Sequence, residues 1–417
     1  MKKNVVIHID TLRREYSSAW LLAKRFERLG FTVYLTSRTS TNLFLKFMTP
    51  DILILSHSFT FPQDRFRKLK EKGTKIYVAE VEGIYQVENA IASSYPEYVD
   101  FDNFEKVFVW NEWSKKWLEK NRNLEPSKVV ASGCSRNDLV KHITVNDSKR
   151  RVGIIGRFEM VNPFDDRHPF ANLRYLSAEA MERWHVDLDA FIVTRDLIKH
   201  LLSQGYKVSL RPHPNEKISS YSILEDFFGN GFEVDTNFDY YNWLESIDKV
   251  VGTVSTAFLE PYLVGIPIVC IDKLFNYKGP DNLKEWRKYT RQAAYIPESM
   301  EDLKKIFLNN SLTPKKSKAL DDYTFKFYNI KSAFDSRSME MIVDSIVKKN
   351  NHHKKGGALE FLYIPFLRYL VDAAACLRAI LQRRGAWTLQ NLRQYDYNIF
   401  LHKPSAFMVK VNDEAHI

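Results

Sequence analysis

The 417-residue sequence predicts an α/β fold with two doubly wound parallel sheets. Short apolar runs that are typical of buried strands alternate with helical patterns from Asn4 to Ser132, and the alternation resumes at Arg151. Such alternation is typical of parallel strands joined by crossover helices. The polar stretch DSKRR at 147–151 separates the two sets. We therefore expect one domain at 1–146, a second at 151–350 and a cleft between them.

The strands of the first domain are predicted from runs rich in β-branched and aromatic residues. They span 4–10, 31–36, 51–56, 75–79, 106–110 and 128–132. A helix is predicted at 16–29, because apolar residues recur there at helical spacing and Gly30 ends the pattern.

The second domain shows the same alternation. Its predicted strands span 151–155, 207–210, 250–251 and 268–271, and its predicted helices span 190–202, 221–228, 301–307 and 332–349. The lysine-rich stretch between the last two helices is predicted to be a loop.

A C-terminal extension is predicted at 351–417, after the linker HHKKGG. Apolar residues recur at helical spacing from Leu359 to Leu381, and arginines interrupt the polar side. This pattern fits a helix that lies on a membrane surface. It fits equally a helix that docks on the protein itself.

Composition limits the partners and the compartment. The net charge of +10 favours anionic partners, but lysines and arginines are scattered and no nucleic-acid-binding module is recognisable. Three well-separated cysteines argue against disulfides and structural zinc, which fits a reducing cytosol. Neither an export signal nor an apolar run of spanning length is evident, and Walker and GxGxxG loops are absent from the sequence.

Two stretches of the second domain predict a phosphate-binding site. In KVSLRPHPNE, prolines end a strand and place His213 on a rigid loop at its carboxyl end. In VVGTVSTAFLEPYLVG, Ser255 and Thr256 stand between a strand and a helix, where hydroxyls and backbone amides bind anions. Ligands of open parallel sheets bind outside the carboxyl ends of the strands, where both stretches are expected to lie.

Several stretches together resemble one group of proteins. They are EVEG at 80–83, VWNE at 109–112, GCSRND at 133–138, RPHP at 211–214, and Ser255-Thr256 with Glu260. In this order they are similar to surface-carbohydrate glycosyltransferases with two Rossmann-like domains (the GT-B type). This group includes capsule Kdo transferases, bacterial sialyltransferases and CDP-glycerol polymerases, and the similarity spans roughly residues 4 to 275.

The resemblance implies roles for residues of the second domain. His213 would contact the donor phosphate and help the nucleotide to leave. Arg157, Arg211, Ser255 and Thr256 would bind the same phosphate. Glu260, about one helical turn beyond the hydroxyls, would reach a ribose hydroxyl. The alternatives are structural: an Arg211–carboxylate pair, a turn capped by His213 and a helix capped by the Ser-Thr pair.

The first domain is expected to supply the base for the acceptor hydroxyl. Glu82 is the candidate, because Glu82-Gly83 resembles the acidic-Gly motif of the sialyltransferase-like members. Arg13, Arg14 and Glu15 either contact the acceptor or begin a solvated helix. Asp165-Asp166 could contact either the substrate or a metal ion, but we expect catalysis without a metal ion or other cofactor.

The expected function follows from the resemblance. The protein would be a glycosyltransferase that moves a sugar from a nucleotide donor onto a bacterial surface glycan or a lipid-linked acceptor. The expected donor is a CMP-activated acidic sugar, Kdo or a nonulosonic acid. The expected location is the inner face of the cytoplasmic membrane, as a peripheral protein. The alternatives are a CDP-glycerol-type glycerophosphotransferase and a non-catalytic scaffold of the capsule machinery.

Overall fold

The computed structural model describes residues 3–84, 87–145, 150–163, 178–237, 239–275, 277, 283–308, 312–330, 332, 335–348 and 408–410. The chain forms two compact units. The first contains residues 1–139 and the chain from Thr324 onward, and the second contains residues 140–323. This division differs from the predicted boundary at 350, because helices near the end of the second predicted domain pack in the first unit.

The first unit is built on a seven-stranded sheet with the order β12-β2-β1-β3-β4-β5-β6. All neighbouring strands are parallel except β12, which pairs antiparallel with β2. The strands are β1 Asn4–Ile9, β2 Thr32–Ser37, β3 Ile52–Leu55, β4 Lys75–Ala79, β5 Lys106–Val109, β6 Val129–Ala131 and β12 Met408–Lys410. They read as continuous apolar runs because both faces of a parallel sheet are covered.

Helices cover this sheet through apolar faces. They are α1 Leu12–Arg28, α2 Arg38–Phe47, α3 Gln63–Glu71, α4 Glu88–Ser94, α5 Glu112–Asn121 and α6 Asn137–Val140. The last described helix, α14 Ser338–Val347, also belongs to this unit. Asp138 fixes its start, since its carboxylate accepts the backbone N–H groups of Ser338 at 3.1 Å and Met339 at 2.9 Å.

The second unit contains a five-stranded parallel sheet with the order β11-β10-β7-β8-β9. Its strands are β7 Arg151–Ile155, β8 Lys207–Arg211, β9 Phe232–Val234, β10 Lys249–Gly252 and β11 Ile268–Cys270. Its helices are α7 Ala178–Ser203, α8 Ser222–Phe228, α9 Tyr240–Ser246, α10 Leu259–Val264, α11 Lys284–Gln292, α12 Met300–Leu308 and α13 Lys318–Tyr328, the last of which ends in the first unit. Its core joins Val152, Val208 and Val251 of the strands to Leu197 and Leu201 of α7.

The predicted fold of two doubly wound parallel sheets is confirmed, with local differences. The predicted lysine-rich loop contains α13, and β9 was missed because the charged Glu233 interrupts the apolar pattern of the short segment Phe232–Val234. Residues 408–410 form a strand, although a helical extension was predicted for 351–417. The predicted helix at 359–381 lies outside the described residues. None of the described helices is long and apolar enough to cross a lipid bilayer.

Candidate functional site

Each sheet has a switch point, where the chain crosses from one side of the first strand to the other. It lies between β1 and β3 in the first unit and between β7 and β10 in the second. Ligands of such sheets bind outside the carboxyl ends of the strands at this point. In the second unit, β7 lies between β8 and β10, so the loops carrying His213 and Ser255 flank the loop carrying Arg157.

The loop after β8 holds His213 in a defined orientation. The backbone N–H of Asn215 donates to Nδ1 of His213 at 3.3 Å. Oε2 of Glu159 lies 3.4 Å from the same Nδ1. The neutral imidazole that accepts from Asn215 carries its hydrogen on Nε2, and the imidazolium favoured by Glu159 carries one there too. Nε2 is therefore a hydrogen-bond donor in both states.

Glu159 is a charged residue that the sequence analysis missed. Its carboxylate accepts from Arg183 at 2.7 Å and from the side-chain amide of Asn215 at 3.2 Å. Burial opposes ionisation, but the charges of His213 and Arg157 and the two donors lower the pKa of Glu159 below its usual value. It thus supplies a permanent negative charge beside His213.

Glu216, at the end of the RPHPNE stretch, joins the loops after β7 and β8. It accepts hydrogen bonds from the backbone N–H of Phe158 and from the hydroxyl of Tyr221. Its own backbone N–H donates to the carbonyl of His213 at 3.0 Å. Complete burial raises the pKa of Glu216 to about 7.

Arg157 lies next to Gly156 at the carboxyl end of β7. Its Nη1 donates to the hydroxyl of Tyr277 at 2.6 Å, and its guanidinium lies 5.6 Å from the ring centroid. Nearby, Asp187 accepts the backbone N–H of Met160 at 2.9 Å, and burial raises its pKa to about 6. Cations and titratable carboxyl groups therefore line this end of β7.

Of the hydroxyls after β10, that of Ser255 is occupied in local structure. Ser255 caps the short turn that follows, because its Oγ accepts the N–H of Ala257 at 3.2 Å. Its carbonyl accepts from Trp286 Nε1 at 3.1 Å. Thr253 Oγ1 is buried and has no hydrogen-bond partner among the described residues. Thr256 begins the turn Thr256–Phe258, and the side chain of Glu260 is buried in α10.

Arg211 is placed away from its predicted role. Its guanidinium pairs with Asp235 and donates to the carbonyl of Asn237 at 3.0 Å. It also lies 5.2 Å from the ring centroid of Tyr240, and its side chain is 8% exposed. These contacts match the structural alternative, an arginine paired with a carboxylate. The structure thus brings His213 together with Glu159, and Arg211 together with Asp235.

In the first unit, Glu82 lies beyond the carboxyl end of β4 with a side chain 57% exposed. Arg14 of α1 forms an ion pair with it. Glu80, two residues earlier, points to the interior and has a side chain 1% exposed. Both residues follow Ala79, the last residue of β4, so strand alternation, which would place residues 80 and 82 on the same face, does not set their orientation.

Glu80 and His57 form a second pair that the sequence analysis missed. Nδ1 of His57, which follows β3, lies 3.2 Å from Oε1 of Glu80. Burial lowers the pKa of His57, but the Glu80 carboxylate and, more weakly, those of Glu15 and Asp10 raise it above the usual value. Its position directly after an apolar run was the available signal.

The described part of the chain contains no group of three or more His, Cys, Asp or Glu side chains placed to hold a metal ion. Asp165 and Asp166 lie outside the described residues. Catalysis without a metal ion stays a prediction.

No protein-family model matches the sequence, and no curated protein matches it either. Solved structures of similar fold exist. A variant of the wall teichoic acid polymerase TagF has a TM-score of 0.51 at 12% identity, over 84% of this chain and 90% of that chain. A putative UDP-N-acetylglucosamine 2-epimerase from Listeria monocytogenes has a TM-score of 0.49 at 13% identity, over 85% of this chain and 98% of that chain. At this identity the likeness shows the fold alone, a GT-B type of two Rossmann-like units.

Proposed function

We propose that the protein is a glycosyltransferase that uses a nucleotide-activated sugar. The observation that carries this proposal is the Glu159–His213 pair at the carboxyl end of β8. An imidazole whose Nε2 carries a hydrogen can donate a hydrogen bond to the donor phosphate. Such a bond stabilises the negative charge that develops on the phosphate as the nucleotide leaves. The neighbouring cation of Arg157 favours the same charge.

The second unit is proposed to bind the donor. Arg157 and His213 would contact the phosphate, and the backbone and hydroxyls of Ser255 and Thr256 would complete its binding site. Arg211 supports the site indirectly in this proposal, since its guanidinium holds β8 to the segment after β9. Glu260 is the proposed contact for the ribose, as the resemblance implies.

The first unit is proposed to bind the acceptor, with Glu82 as the base. A base must reach the reacting hydroxyl, and Glu82 is the exposed carboxylate after β4. The hydroxyl oxygen forms a bond to the anomeric carbon as the bond to the donor phosphate breaks. The proton passes to Glu82, and the electron pair leaves with the nucleotide.

The finer proposal is a CMP-activated acidic sugar, Kdo or a nonulosonic acid, that is added to a bacterial surface glycan. It rests on the similarity of EVEG, RPHP and the Ser-Thr pair to the transferases of that group. A second candidate is a glycerophosphotransferase that uses CDP-glycerol. It is favoured by the fold of TagF, a wall teichoic acid polymerase, which shares the GT-B arrangement of strands and helices.

Titration calorimetry with CMP, CDP, UDP and GDP tests the donor class, with the His213→Ala variant as a control. We expect selective binding of CMP that weakens about tenfold or more in the variant, because a phosphate contact is lost. A preference for UDP or GDP would reject the acidic sugar. Absence of nucleotide binding would favour a non-catalytic scaffold.

Donor turnover separates the two candidates. The wild-type protein is incubated with CMP-Kdo, CMP-N-acetylneuraminic acid and CDP-glycerol, and the release of CMP is measured. Release from a CMP-sugar supports the glycosyltransferase, and release from CDP-glycerol alone supports the phosphotransferase. The Glu82→Gln and His213→Ala variants should each lose at least about a hundredfold in rate. Wild-type rates in both would reject the assigned roles.

Peripheral association with the inner membrane is also proposed, through the stripe at 359–381. The net charge of +10 supports attraction to anionic lipids. Flotation with phosphatidylglycerol vesicles should recover the full chain, and an Arg383→Gln/Arg384→Gln variant should float less. Equal recovery with neutral vesicles would argue against an electrostatic contribution.

A further inference from the structure

Buried polar side chains at the carboxyl ends of β3 and β4 take no part in the function proposed above. His57 is 9% exposed, and the Glu80 side chain beside it is 1% exposed. Oε2 of Glu80 and Oγ of Ser58 are buried without hydrogen-bond partners among the described residues. Burying such groups costs free energy, and they are concentrated at functional sites.

Glu80 connects His57 to the loop that carries Glu82. Its Oε1 accepts the backbone N–H groups of Val81 at 3.1 Å and Glu82 at 3.0 Å, and lies 3.2 Å from His57 Nδ1. The carbonyl of Glu80 accepts from Trp110 Nε1 at 2.8 Å. One carboxylate oxygen therefore joins the imidazole of His57 to the backbone of the proposed base.

The remaining atoms of His57 are available to a ligand. The ring faces Glu80 through Nδ1, which leaves Nε2, on the other side of the imidazole, to a ligand. The ring of Phe59 stacks on the imidazole at a centroid distance of 5.2 Å and an interplanar angle of 15°. Phe59 is 37% exposed, so an aromatic surface lies beside the polar Nε2. Apolar surface next to a hydrogen-bond donor matches a sugar ring, which has an apolar face and a hydroxyl rim.

We propose that His57 and Phe59 bind the acceptor beside Glu82, and that this acceptor is an uncharged sugar. The inference rests on the proposed function and deepens it. Nε2–H donates to a hydroxyl of the sugar, and the apolar face of the sugar covers the ring of Phe59. Glu80 is a positioning residue, because it acts through His57 and the Glu82 loop.

The charges around this surface favour a neutral acceptor over an anionic one. Carboxylates come from the loop after β1, from α1 and from the loop after β4: Asp10, Glu15, Glu80 and Glu82. In the described part of the chain, the three carboxylates of Glu15, Glu80 and Glu82 are paired with two cationic side chains, Arg14 and His57. A carboxylate or phosphate on the acceptor sugar would face net negative charge.

Acceptor kinetics test the proposal. The probes are methyl hexosides and methyl N-acetylhexosaminides, with methyl glucuronides as anionic counterparts, at a saturating concentration of the donor identified above. We expect transfer to a neutral glycoside and a rise of about tenfold in its KM in His57→Gln and Phe59→Ala, with a smaller change in kcat. Tyr98→Ala removes an exposed aromatic side chain elsewhere in this unit and should leave KM unchanged. Unchanged nucleotide affinity in both variants shows that the second unit remains folded.

The pH dependence of KM separates binding from a purely structural role of His57. In the neutral imidazole the remaining hydrogen faces Glu80 on Nδ1, so Nε2 can no longer donate. Acceptor KM should therefore rise as pH increases through the pKa of His57. Glu80→Gln removes the charge that raises this pKa, so the rise should move to lower pH.

Three results would overturn the inference. They are an unchanged acceptor KM in His57→Gln, a pH midpoint that does not move in Glu80→Gln, or equal use of a glucuronide. Failure of the proposed function has a different signature, since the wild-type protein would then transfer no sugar to any probe.

Discussion

Nδ1 of His213 lies 3.4 Å from Oε2 of Glu159, and the two residues come from the loops after neighbouring strands β8 and β7. Arg183 and Asn215 hold the carboxylate, so the imidazole is oriented by a fixed partner. Partners of this kind set the orientation and the proton positions of a functional histidine. The pair therefore makes Glu159 a positioning residue for the proposed departure of the nucleotide.

Replacing Glu159 by Gln should slow the transfer reaction. The variant keeps an oxygen for Asn215 but loses the charge that favours the imidazolium of His213. We expect kcat to fall about 10- to 100-fold, as for other residues that orient a catalytic group, with nucleotide affinity nearly unchanged. Steady-state kinetics and calorimetry measure the two quantities. Asp226→Asn, at an exposed position of α8, is the matched control and should retain full activity. A wild-type kcat in Glu159→Gln would contradict the positioning role.

The Arg211–Asp235 pair should contribute to stability. Both side chains are nearly buried, at 8% and 12% exposure, so removing one charge leaves the other poorly solvated. Asp235→Asn should lower the free energy of unfolding by about 3 kcal/mol. The control is Glu233→Gln, which breaks the more exposed pair with Arg151 and should cost less than about 1 kcal/mol. Denaturant unfolding measures both. Equal and small losses of stability in the two variants would show that Arg211 does not need Asp235 as a partner. They would support the predicted role of Arg211 in binding the donor phosphate.

The RPHP stretch correctly predicted the loop that carries His213, but it did not predict that Arg211 would pair with Asp235. Prolines and a preceding apolar run are local features, so they located the strand end and the loop correctly. The side-chain partner of Arg211 comes from Asp235, after another strand, and is set by the order of strands in the sheet. Sequence pattern indicated that a cation would stand at this strand end, but not which anion would pair with it.

The same limit explains why His57 and Glu159 were missed. Each follows a predicted strand, but neither lies in a recognisable motif. Their partners, Glu80 and His213, are separated from them by 23 and 54 positions in the sequence and become neighbours only when adjacent strands pair. The order of strands in the sheet could be used to identify polar residues at neighbouring strand ends as partners. The spacing of these residues along the chain could not be used in this way.

Position 83 requires a residue without a side chain, because the indole ring of Trp110 lies next to the backbone of Gly83. A Cβ atom at Gly83 would lie 2.5 Å from the indole ring, and that ring is anchored through its N–H to the carbonyl of Glu80. Gly83→Ala should therefore displace the Glu80–Gly83 loop, cost about 1–3 kcal/mol of stability and reduce transfer through misplacement of Glu82. Thermal unfolding and kcat/KM check this. Trp110→Leu should restore part of the stability when combined with Gly83→Ala. Additive losses in the double variant would refute the steric explanation.

Glu216 should make the stability of the protein depend on pH near neutrality. Burial raises its pKa from 4.5 to about 7, so the folded protein binds this proton more tightly than the unfolded chain does. The resulting stabilisation is fully present below about pH 4.5 and is lost as the pH rises through about 7, a change of up to about 3 kcal/mol.

The Glu216→Gln variant isolates this contribution. Gln can still accept from the N–H of Phe158, and its amide can donate to the hydroxyl of Tyr221, but it has no proton to release. We expect the free energy of unfolding to fall less between about pH 5 and pH 8 in the variant than in the wild type. Asp187, whose pKa burial raises to about 6, contributes in the same direction, and Asp187→Asn removes that share. Denaturant unfolding at a series of pH values gives the difference directly. If the free energy of unfolding depends on pH equally in Glu216→Gln and the wild type, Glu216 is already ionised in the folded protein. The loops after β7 and β8 would then be joined by a buried carboxylate rather than by a carboxylic acid.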